Sequence, residues 1–124
     1  MDVTAPTMES GEQTTLTSAL DRLWQKFLPE IGQRVALLES AAQALAAGEL
    51  NPSQQQAAHA AAHKLAGVLG TFNLAEGTTL AREIELKNAP GAVLVPADAE
   101  HLSALSARLR ALVENRSGAA RPPK

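Results

Sequence analysis

Apolar positions fall at helical spacing along most of the chain. Leu20, Leu23, Trp24 and Phe27 recur at steps of three, one and three, and Ile31, Val35, Leu38, Ala42 and Leu45 follow at alternating steps of four and three. That is the period of a helix burying one face. Pro29 falls between the two runs. A proline inside a helix removes a hydrogen bond and crowds the preceding turn. A first helix is therefore expected from about Thr17, with a kink or break near Leu28. Gly48 stands where a left-handed residue would close the second run.

The pattern then restarts three times. Asn51, Pro52 and Gln54 have the order of an N-cap, a first-turn proline and a capping-box partner. They predict a helix from Pro52 to about Gly70 or Phe72. Asn73 and Glu76 repeat the capping signature ahead of Leu74, Leu80 and Ile84, and that helix is expected to end near Asn88, before Pro90. The segment "APGAVLVPA" reads as a linker whose Val93, Leu94 and Val95 pack over the bundle end as loop residues. A last helix is expected from Pro96 to Asn115, with Leu102, Leu105, Leu109 and Leu112 as its stripe.

Short connections between such helices favour antiparallel neighbours. The expected fold is all-α: an antiparallel up-down four-helix bundle with a short additional N-terminal helix or a kinked helix extension. The bundle is placed at residues 16–115, between flexible tails at 1–15 and 116–124, which are polar or rich in Arg, Gly and Pro.

Composition narrows the function. The 124 residues suffice for one domain with a modest core. One Trp, two Phe and no Tyr argue against a β-sandwich and against an aromatic platform for bases. Net charge is −2 and no basic run occurs, so nucleic acid is not an expected partner. The absence of cysteine removes disulfides, thiolate chemistry and cysteine-ligated metals, and fits a cytoplasmic location. The start, "MDVTAPTMESGEQTT", has no apolar run of the signal-peptide kind, and no membrane span is expected.

One stretch resists a purely structural explanation. "AAHKLAGVLG", Ala61 to Gly70, lies within a predicted helix yet holds two glycines. Each costs roughly 1 kcal/mol against alanine in a helix interior. At about 100° per residue, Ala58, Ala62, Leu65 and Leu69 form the core stripe. His63 points well away from it, towards solvent, and shares its side with His59, Ala60, Gly67 and Gly70. The glycines clear the ground beside an imidazole, so that another macromolecule can bring a reacting group to the ring. An exposed histidine is ordinarily a plain surface residue, and a helical glycine can serve packing or a helix end. The conjunction of a central histidine, two glycines on its side and a bundle pattern around it argues for chemistry.

"AHKLAGVLGTFNLAEGTTLAREIE", Ala62 to Glu85, also resembles the signature of histidine-containing phosphotransfer (HPt) domains. Their pattern joins a histidine, an apolar residue two on and a glycine four on to a turn and an acidic-rich helix. It is matched at His63, Leu65, Gly67, Gly70, Phe72 and Leu74, and the helical pattern from Leu16 to Asn115 suits the family's bundle. The resemblance implies that His63 accepts a phosphoryl group from an aspartyl phosphate on a response-regulator receiver domain and passes it to another receiver. A free imidazole titrates near 6.5, so it is largely nucleophilic at neutral pH. Attack through Nε2 needs the proton on Nδ1, and the family position that can hold that proton corresponds to Glu85. Glu85 equally suits a solvated carboxylate paired with Arg82 or Lys87.

The chain departs from the family at Ala66, where a lysine commonly stands. Lys64 and Arg82 are the remaining candidates for phosphate electrostatics. The partner-docking face is expected to comprise His59, Ala60, Ala66, Gly67 and Gly70. The implied partners are receiver domains and a hybrid histidine kinase, met by a monomer rather than a dimer. No cofactor is expected on this chain, with Mg²⁺ placed on the receiver. No glycine-rich phosphate loop occurs, so self-phosphorylation from ATP is not expected.

Two other readings stand beside this one. The bundle could be a docking module that transfers nothing. Alternatively, His59 and His63, four apart on one helix, could chelate a divalent ion with a third ligand from His101, Glu85 or a partner.

Overall fold

The computed structural model describes residues 4–120, with side chains over 15–118. Four helices run in chain order: α1 Thr4–Ala46, α2 Pro52–Thr71, α3 Ala75–Lys87 and α4 Ala99–Ala120, the last preceded by a 3₁₀ turn at Pro96–Asp98. The described residues include no strand. Helix α1 packs on α2 and α4, and α3 packs on the same two, which closes a four-helix ring.

Pairs across the interfaces show the directions. Asp21 meets Arg116 while Glu39 meets Arg110, so α1 and α4 run in opposite senses. Thr78 meets Ala66 while Glu85 meets His63, which sets α3 against α2. Glu76 meets Arg108 while Glu83 meets His101, and the same holds for α3 and α4. The bundle is antiparallel, as the short connections implied.

Helix ends follow local chemistry. Gly48 has φ +73°, and the pair of bonds from Gly48 N to Leu45 O and Glu49 N to Ala44 O closes α1 in a Schellman turn. At the start of α2 the Asn51–Gln54 capping box is complete. The Asn73 expectation is corrected. Asn73 is not a cap of α3; it has φ +62° and ends α2, with Asn73 N on Gly70 O and Leu74 N on Leu69 O. Asparagine tolerates the left-handed region better than most residues. Leu74 is the N-cap position of α3, with no side-chain bond.

Two boundaries also differ from expectation. Helix α1 starts at Thr4 rather than near Thr17 and passes Pro29 without a break. Pro29 and Gln25, whose carbonyl loses its partner, both lie on the exposed side, where water can replace the lost bond. Extending a formed helix adds one bond per residue, which favours growth beyond the nucleus. Helix α4 continues past Asn115 because its last turns are anchored. Trp24 Nε1 donates to Ser117 Oγ at 3.0 Å, and Arg116 lies 5.4 Å over the Trp24 ring while pairing with Asp21. The flexible tails expected at 1–15 and 116–124 are thus helical over 4–15 and 116–120, and their remaining residues, 1–3 and 121–124, lie outside the described residues.

The core runs the length of the ring. Trp24, Ile31, Val35, Leu38 and Leu45 face Ala62, Leu65, Leu69, Ile84, Leu102 and Leu109, all buried. Phe72 closes one end edge-on to Trp24, with ring centroids 5.1 Å apart. Leu23 is exposed, off the buried side of α1. In α4, Leu112 is half-buried and Val113 takes the core position. Of the linker residues, Leu94 packs against the core, whereas Val93 and Val95 are exposed because the loop turns them outward.

Candidate functional site

The α2–α3 contact is built from small residues. Ala62 and Ala66 on α2 and Gly77 and Ala81 on α3 are all buried. A Cβ at Gly77 would stand 2.9 Å from Leu69 Cδ1, so glycine permits this approach. The Thr78 hydroxyl donates to the Ala66 carbonyl at 2.9 Å, tying the first turn of α3 to the later part of α2. Farther along, the close spacing brings the last turn of α3 within reach of the middle of α2.

There Glu85 meets His63. Glu85 Oε2 is 2.8 Å from His63 Nδ1, and the side chains are 21% and 73% exposed respectively. An ionised carboxylate only accepts, so the proton of this bond belongs to His63 Nδ1. The neutral ring then carries its lone pair on Nε2, which no protein group among the described residues engages. The arrangement thus leaves the lone pair of Nε2 on a largely exposed ring, a form of imidazole that can act as a nucleophile.

A hollow of about 390 Å³ opens beside the ring, lined by His63, Ala66, Gly67, Arg82, Glu85 and Leu86. A Cβ at Gly67 would meet nothing within 4 Å, so that glycine is not required by packing. Gly70 is exposed farther along, where a Cβ would come to 3.4 Å from Thr78 Oγ1. Arg82 is exposed and lines the hollow with His63; Lys64 is exposed and does not line it. The hollow thus has a cation on the α3 side.

The expected docking face is only partly a face. Ala60, Gly67 and Gly70 are exposed, but Ala66 is 5% exposed and His59 is half-buried. The reason is the close approach of α3, which covers the Ala66 side of α2. His59 Nδ1 lies 2.9 Å from the Glu85 main-chain oxygen. Leu86, 74% exposed on the rim of the hollow, was not among the expected residues. Its signal was present in the sequence: it falls off the Leu80–Ile84 stripe and adjoins Glu85.

His101 does not join the other two histidines; its Nε2 pairs with Glu83 at 2.5 Å. Among the described residues, no group of three or more His, Cys, Asp or Glu is arranged to hold a metal ion. None of the helices, within the described residues, is long and apolar enough to cross a membrane.

The architecture defines a helical module that presents one backed imidazole on an open face. The Hpt domain family model matches residues 22–119, and the chain belongs to that family. A curated relative, Protein RcaC of Microchaete diplosiphon, is 33% identical over 76 residues, which is 61% of this chain and 12% of RcaC. The chain thus spans a small part of that relative's length. No solved structure matches it. Membership of the family implies phosphotransfer in a two-component phosphorelay, in which Hpt domains interact with receiver domains.

Proposed function

We propose that His63 is the phosphoacceptor of this domain and shuttles a phosphoryl group between receiver aspartates. The observation that carries the reading is the 2.8 Å contact of His63 Nδ1 with Glu85 Oε2 on an otherwise open ring. Nε2 attacks the phosphorus of a receiver aspartyl phosphate. The new N–P bond forms as the P–O bond to the aspartate breaks, and the aspartate leaves as a carboxylate. The proton on Nδ1 stays in place, and the positive charge developing on the ring is balanced by the Glu85 carboxylate. Transfer to a second receiver is the reverse reaction on a different aspartate.

Arg82 supports the phosphoryl oxygens from the α3 side of the hollow, in place of the lysine that the family commonly carries at the position of Ala66. Lys64 reaches the site only by its flexible arm. Leu86 gives the approaching receiver an apolar contact at the rim. The Mg²⁺ of the transfer belongs on the receiver, and a hybrid histidine kinase is the proposed upstream source.

The test is transfer from phosphorylated receiver domains, with Mg²⁺, to wild type and His63→Gln. Label on wild type and none on the variant supports the assignment. Receiver binding without transfer, across several receivers, favours a docking module instead.

A further inference from the structure

The last turn of α3 raises an accounting question. A helix leaves its final carbonyls without intrahelical partners. Ile84 O accepts from Asn88 N at 3.1 Å and from Asn88 Nδ2 at 3.0 Å, and Leu86 O accepts from Ala89 N at 3.3 Å. Glu85 O has no such local partner among the described residues; it is met by His59 Nδ1 at 2.9 Å, across the helix interface. A carbonyl only accepts, so His59 Nδ1 carries the proton, whether the ring is neutral or charged.

His59 stands one turn before His63 on α2. The two imidazoles therefore grip one residue of α3 at its two ends: His59 holds the Glu85 main chain, and His63 holds its carboxylate. Glutamate is a flexible side chain at a helix end, where fraying is greatest. Where its carboxylate sits depends on where its backbone is pinned.

We propose that His59 is a positioning residue, which sets the place and tautomer of His63 by fixing the backbone of Glu85. Its effect on transfer rests on the phosphoacceptor reading of His63, whereas its effect on the His63 tautomer does not. A hydrogen bond that only capped α3 would change stability and leave His63 as it was.

The experiment compares the full chain with His59→Ala and His59→Gln, the second of which keeps a side-chain N–H donor of similar reach. Long-range ¹⁵N–¹H NMR reads the His63 tautomer, and the initial rate of transfer from a phosphorylated receiver reads function. In wild type, His63 carries its proton on Nδ1. His59→Ala shifts His63 towards the Nε2–H form and slows transfer by on the order of tenfold, as expected for a displaced catalytic contact. His59→Gln recovers most of both. If His59→Ala does not fold, His59→Leu takes its place, keeping bulk and removing the donor. A tautomer shift in a protein that accepts no phosphoryl group supports the positioning role and overturns only the phosphoacceptor reading. An unchanged tautomer in a folded His59→Ala or His59→Leu protein overturns the proposal.

Discussion

Glu85 reaches His63 across the α2–α3 interface with a carboxylate-to-imidazole distance of 2.8 Å, although 22 residues separate them in sequence. The contact depends on three things at once: the small residues that let the helices approach, the turn at Asn73 and the length of α3. It occupies Nδ1 and leaves Nε2 as the ring nitrogen without a protein partner among the described residues.

Replacing Glu85 tests that dependence. Glu85→Ala removes the acceptor at Nδ1 and the negative charge behind the ring, and is expected to slow phosphoryl transfer by roughly a hundredfold. Glu85→Gln keeps an acceptor but loses the charge, and should fall between the variant and wild type. Initial rates with one receiver measure both. Equal rates in all three proteins would show that the contact has no part in the reaction.

Gly67 offers a separation of stability from function. Its Cβ position is open, and it lies inside α2 beside the hollow. Gly67→Ala is expected to raise stability by about 1 kcal/mol, the ordinary helix preference for alanine. The added methyl narrows the approach to His63, so the transfer rate should fall. Chemical denaturation and a rate assay on the same preparation decide it. A more stable protein with an undiminished rate would remove access as the reason for glycine.

Far from His63, Ser117 holds the end of α4. Trp24 is fully buried, and its Nε1 donates to Ser117 Oγ, which in turn donates to Val113 O. Ser117→Ala leaves the indole N–H without a partner and should cost about 1–3 kcal/mol. Thermal unfolding measures the loss, and transfer by the folded protein should be unchanged. An unaltered melting temperature would mean that the bond contributes nothing.

Much of this fold was legible because its determinants are local. The Asn51–Gln54 box, the glycine end at Gly48 and the stripe from Ile31 to Leu45 each lie within a few turns of helix. The imidazole at His63 and its cleared side were legible for the same reason. The place of Asn73 was not legible because one residue type serves both as an N-cap and as a left-handed helix end, and the positive φ and the bonds back to Gly70 and Leu69 separate the two. The extension of α4 was hidden because it depends on Trp24, 93 residues away from Ser117. The burial of Ala66 and the bond from His59 to the Glu85 main chain depend on how closely α3 packs, which no single-helix pattern carries.

The Glu76–Arg108 pair gives a pH signature for the α3–α4 contact. Hydrogen bonding from Arg108, partly opposed by desolvation and aided by the Arg108 charge, holds the Glu76 carboxyl below its ordinary value. A lowered carboxylate pKa contributes stability above the ordinary carboxylate range, and that contribution is lost as pH falls through the folded value. Both side chains are exposed, so the effect should be small and weaken with salt. NMR titration should show the Glu76 midpoint rising in Arg108→Ala. An unmoved midpoint would mean that the pair does not persist in solution.

The most direct measurement is the position of the phosphoryl group. Wild-type protein is incubated with a phosphorylated receiver and Mg²⁺, kept at alkaline pH to preserve phosphohistidine, and mapped by tandem mass spectrometry. The chain has three histidines. The account predicts modification at His63 alone, lost in His63→Gln. A phosphoryl group on His59 or His101, or its persistence in His63→Gln, would contradict it.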